Sequence, residues 1–148
     1  MTTPANTPAS PTRRPAVRVR SALTAGAVAA LISSVVNVAI ALVARGPLGV
    51  GDDFAPLTPG PIVLWTVIGA LVGAAGWRMI VNRSTRSAAL LRRLVPTVLA
   101  VSFIPDVALL VTRAMPGTTT AGVVALMVMH LVTAAIAVTA YRRAMPPA

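Results

Sequence analysis

Four apolar stretches, at residues 21–44, 60–81, 94–112 and 119–140, alternate with short polar segments along the chain. A helix needs about 20 apolar residues to cross a hydrocarbon core roughly 30 Å thick, and each stretch reaches or approaches that length. Buried helices of soluble proteins rarely recur at such length. The pattern predicts an all-α fold: a polytopic membrane protein built as a four-transmembrane-helix bundle over residues 21–143. A tail at 1–20 precedes it and a short tail at 144–148 follows. Residues 1–12 carry Pro4, Pro8 and Pro11 among small polar residues with no apolar period, which reads as disordered. Arg13, Arg14, Arg18 and Arg20 then lead into the first span. That span runs well past the roughly 7–15 residues of a secretory h-region and no cleavage site follows, so it reads as a retained anchor.

The 148 residues are 56% hydrophobic and only 11% charged, with a mean hydropathy of +0.82. This composition is that of a membrane protein, and the length leaves no room for a second domain. The net charge of +10 comes from 13 basic residues, all arginine. If the first span enters from the cytoplasm, every arginine except Arg45 and Arg113 lies in a cytoplasmic segment or at a cytoplasmic helix end. That bias orients the chain in the plasma membrane with both termini cytoplasmic. It also argues against nucleic acid as a partner: the arginines cluster at span ends, where anionic lipid headgroups serve as counter-ions. A second copy of the chain or a membrane protein is the other expected partner.

Cysteine is absent, so disulfides, thiolate catalysis, Cys-ligated zinc and iron–sulfur clusters are excluded, and a quinone-linked thiol oxidoreductase with them. Asp52 and Asp53 stand in the Gly- and Pro-rich segment 45–59, but a calcium loop needs several more oxygen ligands at fixed spacing. A solvated external loop is the expectation. Ala22, Gly26, Ala30 and Ser34 repeat at four-residue spacing, and Gly69 and Gly73 form a GxxxG pair with Gly76 beyond it. Both patterns predict close helix packing. Trp65 and Trp77, near the two ends of the second span, suit the headgroup regions. Residues 87–91 of the inner loop suggest a short interfacial helix. Pro96 and Pro105 should break the third span.

The polar groups within the spans are few. Asp106 is the only acid there, and a carboxylate at mid-membrane costs roughly 2.5–3.5 kcal/mol on insertion scales, so it should face the bundle interior. It lies slightly outward of the middle of the third span, with Ser102 four residues earlier on the same face. Pro105 cannot donate to the carbonyl of Val101, which predicts a kink beside the acid. Asn37 in the first span, Thr66 in the second and His130 in the fourth fall at similar mid-to-outer depth. Asn37, Thr66, Ser102, Asp106 and His130 therefore form a candidate intramembrane polar cluster. One reading is structural, with hydrogen bonds across the bundle; the other makes Asp106 and His130 a titratable pair on a proton or cation path. One His and one Asp are too few for a dedicated metal site, and no metal or cofactor is expected.

The run Ser102-Phe103-Ile104-Pro105-Asp106, followed by Leu126-Met127-Val128-Met129-His130, resembles a group of small actinobacterial four-helix membrane proteins classed as a domain of unknown function. The resemblance covers about residues 20–143. It implies the fold and a membrane location, and it brings neither an activity nor catalytic residues. With no nucleophile–base constellation, phosphate loop or redox motif, the leading expectation is a non-catalytic accessory or interaction protein. The alternative is a small oligomeric proton-coupled transporter using Asp106 and His130. A membrane enzyme with these two as base and acid comes third.

Overall fold

A computed structural model describes residues 15–148. The expected disordered segment at 1–12, with Arg13 and Arg14, lies outside the described residues. Among the described residues five α-helices form the fold: α1 Val19–Arg45, α2 Pro59–Arg83, α3 Ser87–Ser102, α4 Ile104–Thr112 and α5 Thr120–Ala144. A single 3-10 turn, Ala55–Leu57, precedes α2, and no strand occurs among the described residues. α3 and α4 together make the third of four helical stretches long and apolar enough to cross a membrane. The chain is therefore an all-α, four-span bundle.

α1 is the central helix, packing along both α2 and α5. Its small residues make this possible. A Cβ placed on Gly26 would lie 3.1 Å from Leu71 Cδ2 and 3.2 Å from Ala74 Cβ, so the backbones approach where the four-residue repeat predicts. Ala22, Gly26, Ala30 and Ser34 are all buried. The second glycine motif behaves differently. A Cβ on Gly69 or Gly76 would meet nothing within 4 Å, and Gly73 faces the phenol of Tyr141. Around Gly69 and Gly76 this face of α2 borders open space, and of the three glycines only Gly73 closely approaches another helix.

α3 and α4 form the least buried of the four spans. Pro96 does not interrupt α3, which starts at Ser87 and absorbs the segment expected as a separate interfacial helix. The missing donor falls near Arg92 and Arg93, toward the polar end of the helix. The break comes at Phe103, whose N–H turns to the carbonyl of Ala100 at 3.2 Å. Pro105 then occupies the first turn of α4, where its lacking N–H costs nothing.

Both ends of the bundle are closed by segments outside the spans. At one end the loop after α1 is only partly solvated: Asp52 and Asp53 are exposed, while Val50, Phe54 and Leu57 are buried against Ala41, Ile62 and Met129. Gly122 makes room for this plug, since a Cβ there would sit 2.9 Å from the Phe54 ring. At the opposite end, near Met145, Trp77 is buried. Its Nε1 donates to the Met145 carbonyl at 3.0 Å, and its ring packs edge-on against Tyr141 at 5.7 Å. Trp65 remains exposed. Val17 is held by Asn82 and by Arg78, and the backbone of Ala148 pairs with Ser87 and Ala88 at the start of α3. The two ends of the described chain thus share one end of the bundle.

Candidate functional site

The five polar residues singled out from the sequence resolve into two groups and an outlier. Asn37 of α1 donates through Nδ2 to Thr66 Oγ1 of α2 at 3.1 Å and to Thr133 Oγ1 of α5 at 3.0 Å. The three central helices are thereby tied at one depth. Asn37 is buried, and its Oδ1 has no partner among the described residues. Thr133 was not anticipated; its signal was its position one turn beyond His130 on the same face of α5.

The second group joins α4 to α5. Asp106 is buried, and its Oδ2 lies 3.2 Å from His130 Nδ1. That same nitrogen is 2.8 Å from the carbonyl of Leu126, which can only accept, so Nδ1 carries a hydrogen for that bond. The hydrogen is committed to the backbone, and Asp106 Oδ2 is left without a hydrogen-bond partner. The pair is in contact without a formed bond between the side chains. Phe103 packs edge-on against the imidazole with centroids 6.1 Å apart. The break at Phe103 places Asp106 in the first turn of a new helix, at the positive end of that helix's dipole. Neither Phe103 nor this dipole was legible from residue types alone.

Ser102 belongs to neither group. Its hydroxyl donates to the Leu99 carbonyl of its own helix at 2.7 Å, and the break at Phe103 separates it from Asp106. It does share a larger feature with the others. Between α2, α3 and α5 lies a cleft of about 620 Å³ whose walls include Asn37, Thr66, Ser102, His130 and Thr133. Asp106 is not among its lining residues. Apart from Tyr141, most of the remaining lining is apolar, with Gly69, Gly73 and Gly76 along α2 and Leu94, Val95 and Val98 along α3. Trp65 and Trp77 both border it, so it extends roughly 18 Å along α2 at 1.5 Å per residue. Trp65, Val72 and Val98 are exposed, which opens the cleft sideways, toward lipid.

No group of three or more His, Cys, Asp or Glu able to hold a metal occurs among the described residues. The pattern describing a family of unknown function, DUF6069, matches residues 16–147. The chain belongs to that family. The match spans all four helical stretches, both polar groups and the cleft, so these are features of the family's matched region in this chain. No curated protein matches the chain, and no solved structure does.

Proposed function

We propose that this DUF6069 protein is a non-catalytic interaction protein of the membrane, and that it acts by holding an amphiphilic molecule drawn sideways from the lipid. The observation that carries this reading is the cleft itself. Its volume of about 620 Å³ is that of a small-molecule site, it is mostly apolar, and its few polar groups converge at one region. Asn37, Thr66 and Thr133 at the cleft wall support a polar headgroup on the ligand. The glycines of α2 support an extended apolar part, since they leave the wall smooth where side chains would otherwise project.

The test exploits those glycines. Gly69→Leu and Gly76→Leu would fill the cleft without striking any neighbour within 4 Å of the new Cβ. The native protein, extracted in mild detergent and analysed by mass spectrometry, should carry a co-purifying amphiphile that the double variant lacks. Equal content in both would sink the reading.

A second reading, proton-coupled transport by an oligomer, is favoured by one observation, the 3.2 Å approach of Asp106 to His130. It requires that reconstituted protein show flux driven by a pH gradient, and that Asp106→Asn abolish it. The positive-inside pattern supports a plasma-membrane location with both termini cytoplasmic and anionic headgroups around the arginines. Fusion of a reporter active only in the cytoplasm to either end checks that orientation. The all-arginine composition and the resemblance noted from the sequence support an actinobacterial origin.

A further inference from the structure

A second concavity lies on the other side of α1. Gly26 faces α2, whereas Thr24 and Val28 project about half a turn away from it. With Ala135, Ile136, Thr139 and Arg143 of α5 they enclose a groove of about 650 Å³ that shares no lining residue with the cleft. The groove runs from an arginine at the inner end of the bundle to aliphatic side chains deeper in. Arg20 stands one turn ahead of Thr24 on the same face of α1, toward the end of the bundle where Arg143 lines the groove.

Those guanidinium groups have no carboxylate to pair with. The chain contains three acids, of which Asp52 and Asp53 are in the outer loop and Asp106 sits beside His130. An anion from outside the chain would complete the charge pairing at this end of the groove. The groove's aliphatic floor requires that this anion carry apolar chains. Thr24 adds a third feature. Its exposed hydroxyl makes no hydrogen bond among the described residues, in contrast to Thr139, which donates to the Ala135 carbonyl at 2.7 Å. One turn below the arginine, that hydroxyl is at the depth where a phospholipid presents ester carbonyls beneath its phosphate.

We propose that the groove between α1 and α5 is a binding site for one anionic diacyl phospholipid, with its phosphate on Arg20 and Arg143, an ester carbonyl on Thr24, and acyl chain along Val28 and Ile136. The site is independent of the α2–α3–α5 cleft, and it gives the bundle a fixed contact with the anionic leaflet rather than a diffuse one. Guanidinium groups bind phosphate through paired N–H donors, which suits retention of a single molecule.

Native mass spectrometry of the full chain, with phosphatidylglycerol or phosphatidylcholine added to the detergent at equal concentration, tests this. One phosphatidylglycerol should be retained and phosphatidylcholine should not. Arg20→Gln with Arg143→Gln should weaken retention by about thirtyfold, as the loss of two interfacial arginines implies. Ala135→Phe, which fills the groove from an exposed position and leaves every arginine in place, should also abolish it. Arg92→Gln with Arg93→Gln, elsewhere on the same end, should leave it intact, as should Gly69→Leu in the cleft. Equal loss in the Arg92/Arg93 variant would mean diffuse adhesion and overturn the proposal. So would full displacement by soluble glycerophosphate, which would assign the arginines to a free phosphate, or undiminished retention by Ala135→Phe.

Discussion

Asn37→Leu removes the side chain on which the three central helices converge, and the structure gives an unexpected sign for its effect on stability. Asn37 makes two hydrogen bonds, at 3.1 and 3.0 Å. Interhelical hydrogen bonds in membranes average about 0.6 kcal/mol, so the pair contributes about 1.2 kcal/mol. Against this stands Oδ1, buried and unpartnered, at a cost of about 1–3 kcal/mol. Leucine removes both terms, and the cleft beside it accepts the small difference in shape. The variant should therefore be as stable as the parent or more so. Thr133→Val has the opposite effect, because it strips an acceptor from Nδ2 and leaves the amide in place; it should cost about 1 kcal/mol. Reversible unfolding in mixed micelles, followed by the fluorescence of Trp65 and Trp77, measures both. A loss of 2 kcal/mol or more in Asn37→Leu would refute the reasoning, since it would mean that Oδ1 is satisfied. If Asn37 is retained for a ligand, the stabilised variant should also lose its co-purifying amphiphile.

Five other substitutions probe the packing. Gly26→Leu should separate α1 from α2 and cost about 1–3 kcal/mol, whereas Gly69→Leu should cost nothing in the same unfolding assay, because only the first would strike a neighbouring helix. Gly122→Ala should destabilise by a similar amount, and Phe54→Ala in the same chain should make the Gly122 substitution nearly silent in a double-mutant cycle. Arg113 caps α4 with a φ of 49°, in the left-handed region, so Arg113→Gly should raise the midpoint of thermal unfolding by relieving about 1–2 kcal/mol of strain.

The spans were readable because hydrocarbon imposes length and composition on any helix that crosses it. The α1–α2 contact was readable for a related reason: Gly26 and its neighbours repeat at the helical period, and a bare face at that spacing has few uses besides close approach. The same logic misled at Gly69 and Gly76, since a smooth helix face can border a cleft as well as a partner, and residue spacing does not distinguish the two. Depth along the membrane was legible, and it brought Asn37 near Thr66 and Asp106 near His130. Rotation about each helix axis was not, so the division into two groups, the role of Thr133 and the inward turn of Ser102 emerged only from the fold. The burial of Trp77 under Met145 and of Phe54 against Gly122 was not legible, because segments that fold back outside the helices leave little periodic signal.

The central claim is that the cleft between α2, α3 and α5 is occupied from the lipid phase. A long-chain alcohol carrying a photoactivatable diazirine, incorporated into liposomes with the protein and irradiated, tests it most directly. The hydroxyl matches the polar wall at Thr66 and Thr133, and the chain suits the glycine-lined remainder. The account predicts cross-links concentrated at Gly69, Gly73, Val98 and Met129, reduced by excess unlabelled alcohol and absent in Gly69→Leu with Gly76→Leu. Labelling spread evenly over the lipid-facing residues of α1 and α4, unchanged by competitor or by filling the cleft, would contradict it.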